Sequence, residues 1–114
     1  MIDPELLLVL KSSVLGEGEP DLGERLLGAY LVSLLDSDTV PQRIVCMNSG
    51  VFLTTEGTPF LDVLRQFEAA GSEITSCGTC LSYYGRDKKL VVGRAGTMKE
   101  AVSAMLAFPR ILQP

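Results

Sequence analysis

The 114-residue chain has no histidine, no tryptophan and only three cysteines. Without histidine, Ser-His-Asp and Cys-His nucleophile arrangements cannot be assembled within the chain. Three cysteines alone cannot complete a four-ligand structural zinc site unless carboxylates or a second subunit contribute. The residues therefore call for no metal and no cofactor. An odd cysteine count, with no basic n-region at Met1-Ile2-Asp3-Pro4-Glu5, points to a reducing cytoplasm and away from a disulfide scaffold. No apolar run reaches the ~18 residues of a membrane helix, and Leu6–Leu10 is too short for a secretory signal. Gly16-Glu17-Gly18 is not a dinucleotide fingerprint, because Asp21 stands where the third glycine would fall, and no Walker A lysine pattern occurs. The net charge of −4 gives no electrostatic basis for nucleic-acid binding. The one close group of basic residues, Arg86-Asp87-Lys88-Lys89, is of mixed sign and reads as a solvated turn.

What is present is a strand–helix alternation over residues 1–114, read as a single domain. Leu6 to Lys11 is a continuous apolar run of the kind buried on both faces of a parallel sheet. From Asp21, Leu22, Leu26, Leu27, Tyr30, Leu31, Leu34 and Leu35 recur at helical spacing. Arg43 to Asn48 reads as a second strand, with Cys46 as a small core residue. Thr58-Pro59 supplies an N-cap and first-turn proline for a helix carrying Phe60, Leu61, Leu64 and Phe67 inward and ending at Gly71. Glu73 to Cys77 is a third strand, Gly78 to Tyr84 a short helix, and Lys89 to Val92 a fourth strand. Thr97-Met98-Lys99-Glu100 has capping-box form and opens a last helix with Ala101, Val102, Met105 and Leu106 on one face. The apolar tail Phe108–Leu112 is suited to covering a sheet edge, a partner subunit or its own domain. Such alternation implies β-α-β units: a mainly parallel sheet with helices on both faces.

Ligand and catalytic groups in such a sheet gather at the carboxyl ends of the strands, where Ser12–Pro20, Asn48–Gly57 and Cys77–Cys80 fall. Cys77-Gly78-Thr79-Cys80 is a C-x-x-C at a strand-to-helix junction. Free N–H groups there favour a thiolate at Cys77, with Cys80 about one turn further on to resolve a disulfide or accept a sulfur atom. The helix dipole contributes ~0.3–1 kcal/mol, less than one pKa unit, so direct N–H hydrogen bonds must supply the rest. The Asn48–Gly57 segment, with Asn48, Ser49, Gly50, Thr54, Thr55 and Glu56, exceeds the usual two-to-six-residue loop. It reads as a site loop or, equally, a structural Ω-loop. Glu56 either orients a substrate or acts as a first-turn acid of the following helix.

Three blocks carry a family resemblance: Asn48-Ser49-Gly50-Val51, Leu53-Thr54-Thr55-Glu56-Gly57, and Ser76-Cys77-Gly78-Thr79-Cys80-Leu81 with Tyr83-Tyr84-Gly85. Together they resemble the DsrE-like sulfurtransferase family, most of all the DsrE-like domain of YedF-type proteins associated with selenium metabolism. The resemblance implies a three-layer α/β/α fold with a mainly parallel sheet of about five strands, and frequent homo-oligomers. It also implies sulfur relay as a cysteine persulfide, with Cys77 in the sulfur-accepting position and, less firmly, Cys80 beside it. YedF-type proteins usually carry a small Cys-Pro sulfur-carrier domain ahead of this one. No Cys-Pro occurs here, so a donor or acceptor protein on another chain is implied. No residue selects selenium over sulfur. Two other classes stay open on the residues alone. One is a thioredoxin-like thiol–disulfide oxidoreductase, and the other a non-catalytic small-molecule or protein binding module.

Overall fold

Every residue from Leu6 to Leu10 is buried, and the strand they belong to, β1 (Ile2–Leu10), lies inside the sheet. The structure, a computed structural model, describes residues 1–114. The other elements are α1 (Pro20–Asp36), β2 (Val40–Cys46), α2 (Leu61–Ala70), β3 (Glu73–Cys77), α3 (Gly78–Tyr83), β4 (Arg94–Gly96), α4 (Met98–Ala107) and β5 (Arg110–Leu112). A 3₁₀ segment, Asn48–Leu53, follows β2. The five strands lie in the order β4-β3-β2-β1-β5, and every neighbouring pair is parallel.

Alternation along β1 explains the layers. Leu8 and Leu10 pack with Leu27 and Leu31 of α1 and with Val63, Leu64 and Phe67 of α2. Leu7 and Val9 pack on the opposite face with Ala101 and Ala104 of α4. The first three crossovers step in one direction across the sheet and the last returns to the far side of β1. With a constant right-handed crossover, that reversal puts α4 on the other face. The result is the three-layer α/β/α arrangement. No helix is long and apolar enough to cross a membrane.

The strand expected at Lys89–Val92 is not in the sheet. Its backbone is engaged elsewhere: Glu56 N–H donates to Lys89 O and Val91 N–H to Thr54 O, both at 2.9 Å, and Leu90 bridges Thr55 in antiparallel fashion. Gly93 then turns the chain at φ +73, where a Cβ would stand 2.4 Å from Ile74 O, and Arg94–Gly96 takes the edge beside β3. α2 starts two residues later than Thr58-Pro59 suggested. Thr58 Oγ1 accepts from Phe60 N–H at 3.1 Å, and Phe60 becomes the N-cap. Gly71, at φ +113, ends α2 as expected.

Thr97 caps α4 by accepting from Glu100 N–H at 3.1 Å, while the Glu100 carboxylate pairs with Arg94 at 2.9 Å. The inward face of α4 differs from its periodicity. Ala101 and Ala104 are buried with Met105 and Phe108 packed alongside, whereas Val102 is exposed and Leu106 is 83% exposed. Two alanines let the helix lie close to β1 and β2, which turns the larger side chains outward. On α1, Leu22 and Leu26 are likewise exposed, and Leu27 and Leu31 enter the core. The apolar tail becomes β5, which extends the sheet beside β1 and ties Arg110 to Asp3 by an ion pair.

Candidate thiol site

The connection after β3 runs on the α1/α2 side, where Val92 joins that core, while the connection after β4 passes to the α4 side. Two neighbouring parallel strands whose connections diverge leave a crevice at their carboxyl ends. Cys77 stands at that point, paired in register with Gly96. The approach is close: a Cβ on Gly78 would lie 3.3 Å from Gly96 O. Cys77 is the N-cap of α3, so the thiols at 77 and 80 are separated by one turn of helix.

The two thiols are not equivalent. Burial opposes ionisation of Cys77, but hydrogen bonding from the backbone and side chains of Cys80 and Thr79 outweighs it and holds the thiol below an ordinary cysteine's pKa. Burial raises Cys80. The Asn48 N–H, 3.1 Å from its sulfur, works the other way, but the hydrogen bond to Cys77 and the charge there push Cys80 above the ordinary value. Cys77 is thus the thiol that ionises first, and Cys80 the one that keeps its proton. Access is reversed: Cys77 is 8% exposed, while Cys80 is half-buried. Cys80 opens on a basin of about 370 Å³ lined by Asn48, Thr79, Tyr83 and Tyr84. Cys77 borders a narrow slot of about 10 Å³, lined by Thr75, Gly96, Thr97 and Met98 among others. Cys46 belongs to the core: it has no exposed surface, and burial pushes its thiol up to about 12.

The loop after β2 is bound to this pair. Asn48 holds φ +54, and its Oδ1 accepts from Ser49 N–H at 2.8 Å. Ser49 Oγ accepts from Ser13 N–H at 3.2 Å. At Gly50 the loop presses on the end of β1, where a Cβ would be 2.2 Å from Leu10 O. Thr54 Oγ1 and Ser76 Oγ form a buried hydroxyl pair at 2.6 Å, one residue before Cys77. Thr55 Oγ1 donates to Val51 O at 3.0 Å and accepts from Arg86 Nη1 at 3.2 Å.

Of the residues singled out in the sequence, Cys77, Gly78, Thr79, Cys80 and Asn48 come together, and Thr54 joins them through Ser76. Ser49 and Gly50 fix the loop to the end of β1. Thr55 and Glu56 face the other way, toward Arg86. Sequence reasoning missed the aromatic wall: Phe52 and Tyr84 meet with ring centroids 4.6 Å apart, Tyr83 meets Tyr84 edge-on at 5.2 Å, and the Arg86 guanidinium lies 4.6 Å from the Phe52 centroid. The one signal for it was two adjacent tyrosines within one turn of the second cysteine. Ser76, directly before Cys77, and Arg86 also went unselected.

An all-parallel sheet in the order β4-β3-β2-β1-β5, layered by helices and bearing a C-x-x-C at the β3–β4 crevice, defines a thiol-bearing domain of the DsrE-like fold. Among the solved structures that share that fold are three from E. coli, Methanobacterium thermoautotrophicum and Bacteroides thetaiotaomicron. The YchN protein of E. coli matches at TM-score 0.67 with 19% identity, over 98% of this chain and 100% of its own. MTH1491 of Methanobacterium thermoautotrophicum, described as of unknown function, matches at TM-score 0.73 with 13% identity, over 98% and 100%. BT1422 of Bacteroides thetaiotaomicron, also of unknown function, matches at TM-score 0.62 with 15% identity, over 96% and 95%. No family model and no curated protein matches the sequence.

Proposed function

We propose that the protein relays sulfur as a persulfide on Cys77. The observation that carries this reading is the placement of the dithiol: Cys77 caps α3 at the β3–β4 crevice with Cys80 one turn further on, where the start of the helix favours the Cys77 thiolate. The Cys77 thiolate attacks the outer sulfur of a donor persulfide R–S–SH. A bond forms between the Cys77 sulfur and that atom, the donor S–S bond breaks, and R–S⁻ leaves and takes up a proton. The product, Cys77–S–SH, carries one additional sulfur atom. Delivery is the reverse step: an acceptor thiolate attacks the outer sulfur and returns Cys77 as thiolate. Where Cys80 attacks the inner sulfur instead, hydrosulfide leaves and a Cys77–Cys80 disulfide forms, which a partner dithiol must reduce.

Further features support the finer assignments of this reading. The thiols lie beside exposed apolar side chains, among them Tyr83 (83% exposed) and Met98. Such surface suits a protein donor or acceptor, for which a small Cys-Pro carrier on another chain is our choice, or a second copy in a homo-oligomer, and three free thiols suit a reducing cytoplasm. A link to selenium metabolism rests on the resemblance to YedF-type proteins alone, since no residue selects selenium over sulfur. The same dithiol also favours a second reading, a thiol–disulfide oxidoreductase. Incubation with a small-molecule persulfide and intact-mass measurement separates the two. The relay reading expects a product one sulfur atom heavier, absent in Cys77→Ser and retained in Cys80→Ser. An adduct unaffected by Cys77→Ser sinks the assignment, and rapid insulin reduction with no persulfide adduct favours the oxidoreductase.

A further inference from the structure

On the far side of the Phe52–Tyr84 contact lies a second cleft, of about 260 Å³, separate from the thiol basin and sharing no lining residue with it. Ser13 and Val14 of the β1–α1 connection, Glu24 of α1, Phe52 to Gly57 in part, Phe60 and Arg86 line it. Its cation is fixed in place. Arg86 Nη1 donates to Thr55 Oγ1 at 3.2 Å and to Glu56 O at 2.9 Å, and the guanidinium lies over Phe52. Nε and Nη2 of the same group have no protein acceptor, which leaves a second donor edge of the planar fork free for an oxygen ligand. Glu24 and Glu56 line the same cleft, and neither carboxylate forms an ion pair with Arg86 or any other cation.

Charges of both signs, unpaired with one another in one concave site, select their ligand by exclusion. A simple anion meets two carboxylates, and a simple cation or metal ion meets Arg86. No group of three or more His, Cys, Asp or Glu side chains gathers to hold a metal. A molecule carrying a carboxylate and an ammonium satisfies both, and the Val14, Phe52 and Phe60 surfaces receive a short apolar side chain. The wall that carries Phe52 and Glu56 is held by the Thr54 and Glu56 hydrogen bonds to Lys89 and Val91, so that side of the cleft is formed before any ligand arrives. We propose that this cleft binds a small zwitterion of the α-amino-acid class, independently of the chemistry at Cys77.

The test is a titration of the isotope-labelled full chain with L-alanine, followed by amide NMR, beside equal titrations with propionate and with ethylamine at constant ionic strength. Saturable shifts at Ser13, Glu24, Phe52 and Glu56 with alanine, and affinities at least about tenfold weaker for the two half-ligands, are expected from the loss of one charge-assisted contact each. Because Arg86 also props Thr55, the informative variant is Glu24→Gln. The Glu24 carboxylate makes no hydrogen bond or ion pair in the fold, and the variant should weaken alanine by about tenfold while leaving the spectrum otherwise native. Failure to saturate at the solubility limit of alanine overturns the proposal. So do equal binding of propionate or ethylamine, indifference to Glu24→Gln, and shifts confined to Asn48, Thr79 and Tyr83.

Discussion

The backbone N–H of Asn48 points at the sulfur of Cys80 from 3.1 Å, across 32 residues of sequence. A donor fixed in the main chain cannot be lost to a side-chain rotation. It leaves Cys80 accepting from Asn48 on one side with the lower-pKa thiol of Cys77 on the other, a position between the loop and the nucleophile.

Site-resolved alkylation with iodoacetamide across pH reads this order directly. Cys77 should show a midpoint below the ~8.5 of a free cysteine and Cys80 one above it. Cys80→Ala removes one donor to Cys77 and should raise the Cys77 midpoint. Cys77→Ala removes the neighbouring charge and should lower that of Cys80. A Cys77 midpoint at or above that of Cys80 contradicts the assignment of the nucleophile.

Asn48 sits at φ +54, where a β-branched side chain is costly and glycine is not. Asn48→Val should lower stability by ~1–2 kcal/mol in urea unfolding, and Asn48→Gly by clearly less. If valine is tolerated as well as glycine, the left-handed conformation is not required in solution.

Gly50 is limited by space and not by dihedral. A methyl there meets Leu10 O at 2.2 Å, and backbone cannot swing aside as a side-chain tip can. Gly50→Ala should cost ~1–3 kcal/mol and loosen the hold on Cys80, seen as faster alkylation of Cys80. Gly18→Ala, with nothing within 4 Å and an ordinary φ, is the control and should be close to neutral.

Cys46 and Cys77 bend the stability curve in opposite directions. The folded state holds Cys46 protonated up to about 12. The unfolded chain releases that proton near ~8.5, so the contribution of Cys46 is full below that pH and is lost as pH rises toward the folded value. Cys77, depressed in the folded state, adds stability above ~8.5 and loses it as pH falls through its folded pKa. Urea unfolding from about pH 7 to about pH 10 should show Cys46→Ala flattening the alkaline decline and Cys77→Ser flattening the rise below it. An unchanged alkaline slope in Cys46→Ala means that Cys46 is not shielded as the fold requires.

How much of this was legible in the residues depends on how local each determinant is. The Leu6–Leu10 run and the Ile44–Cys46 strand announce burial on both faces, and Gly71 announces the end of α2. The placement of Cys77 at a strand-to-helix junction was readable for the same reason. β4 was not, because Arg94-Ala95-Gly96 has little strand character, whereas Leu90-Val91-Val92 has more and uses it on a loop 35 residues earlier. The inward face of α4 was misread because the larger residues set the period and the alanines set the contact. Arg86 looked like part of a solvated turn, since nothing in its neighbours reveals Thr55 and Phe52 on the other side of the fold.

The lacing of Thr54–Glu56 to Lys89–Val91 is made of main-chain groups alone. The exposed side chains of the two segments, Glu56 and Lys89, can therefore be exchanged without untying the walls between the thiol basin and the mixed-charge cleft, whereas the buried hydroxyls of Thr54 and Thr55 are held to Ser76, Val51 and Arg86. For a protein engineer this is a frame whose outward positions can be rewritten while the buried hydroxyls are kept. For a lineage, it is a way to change ligands while the scaffold stays the same.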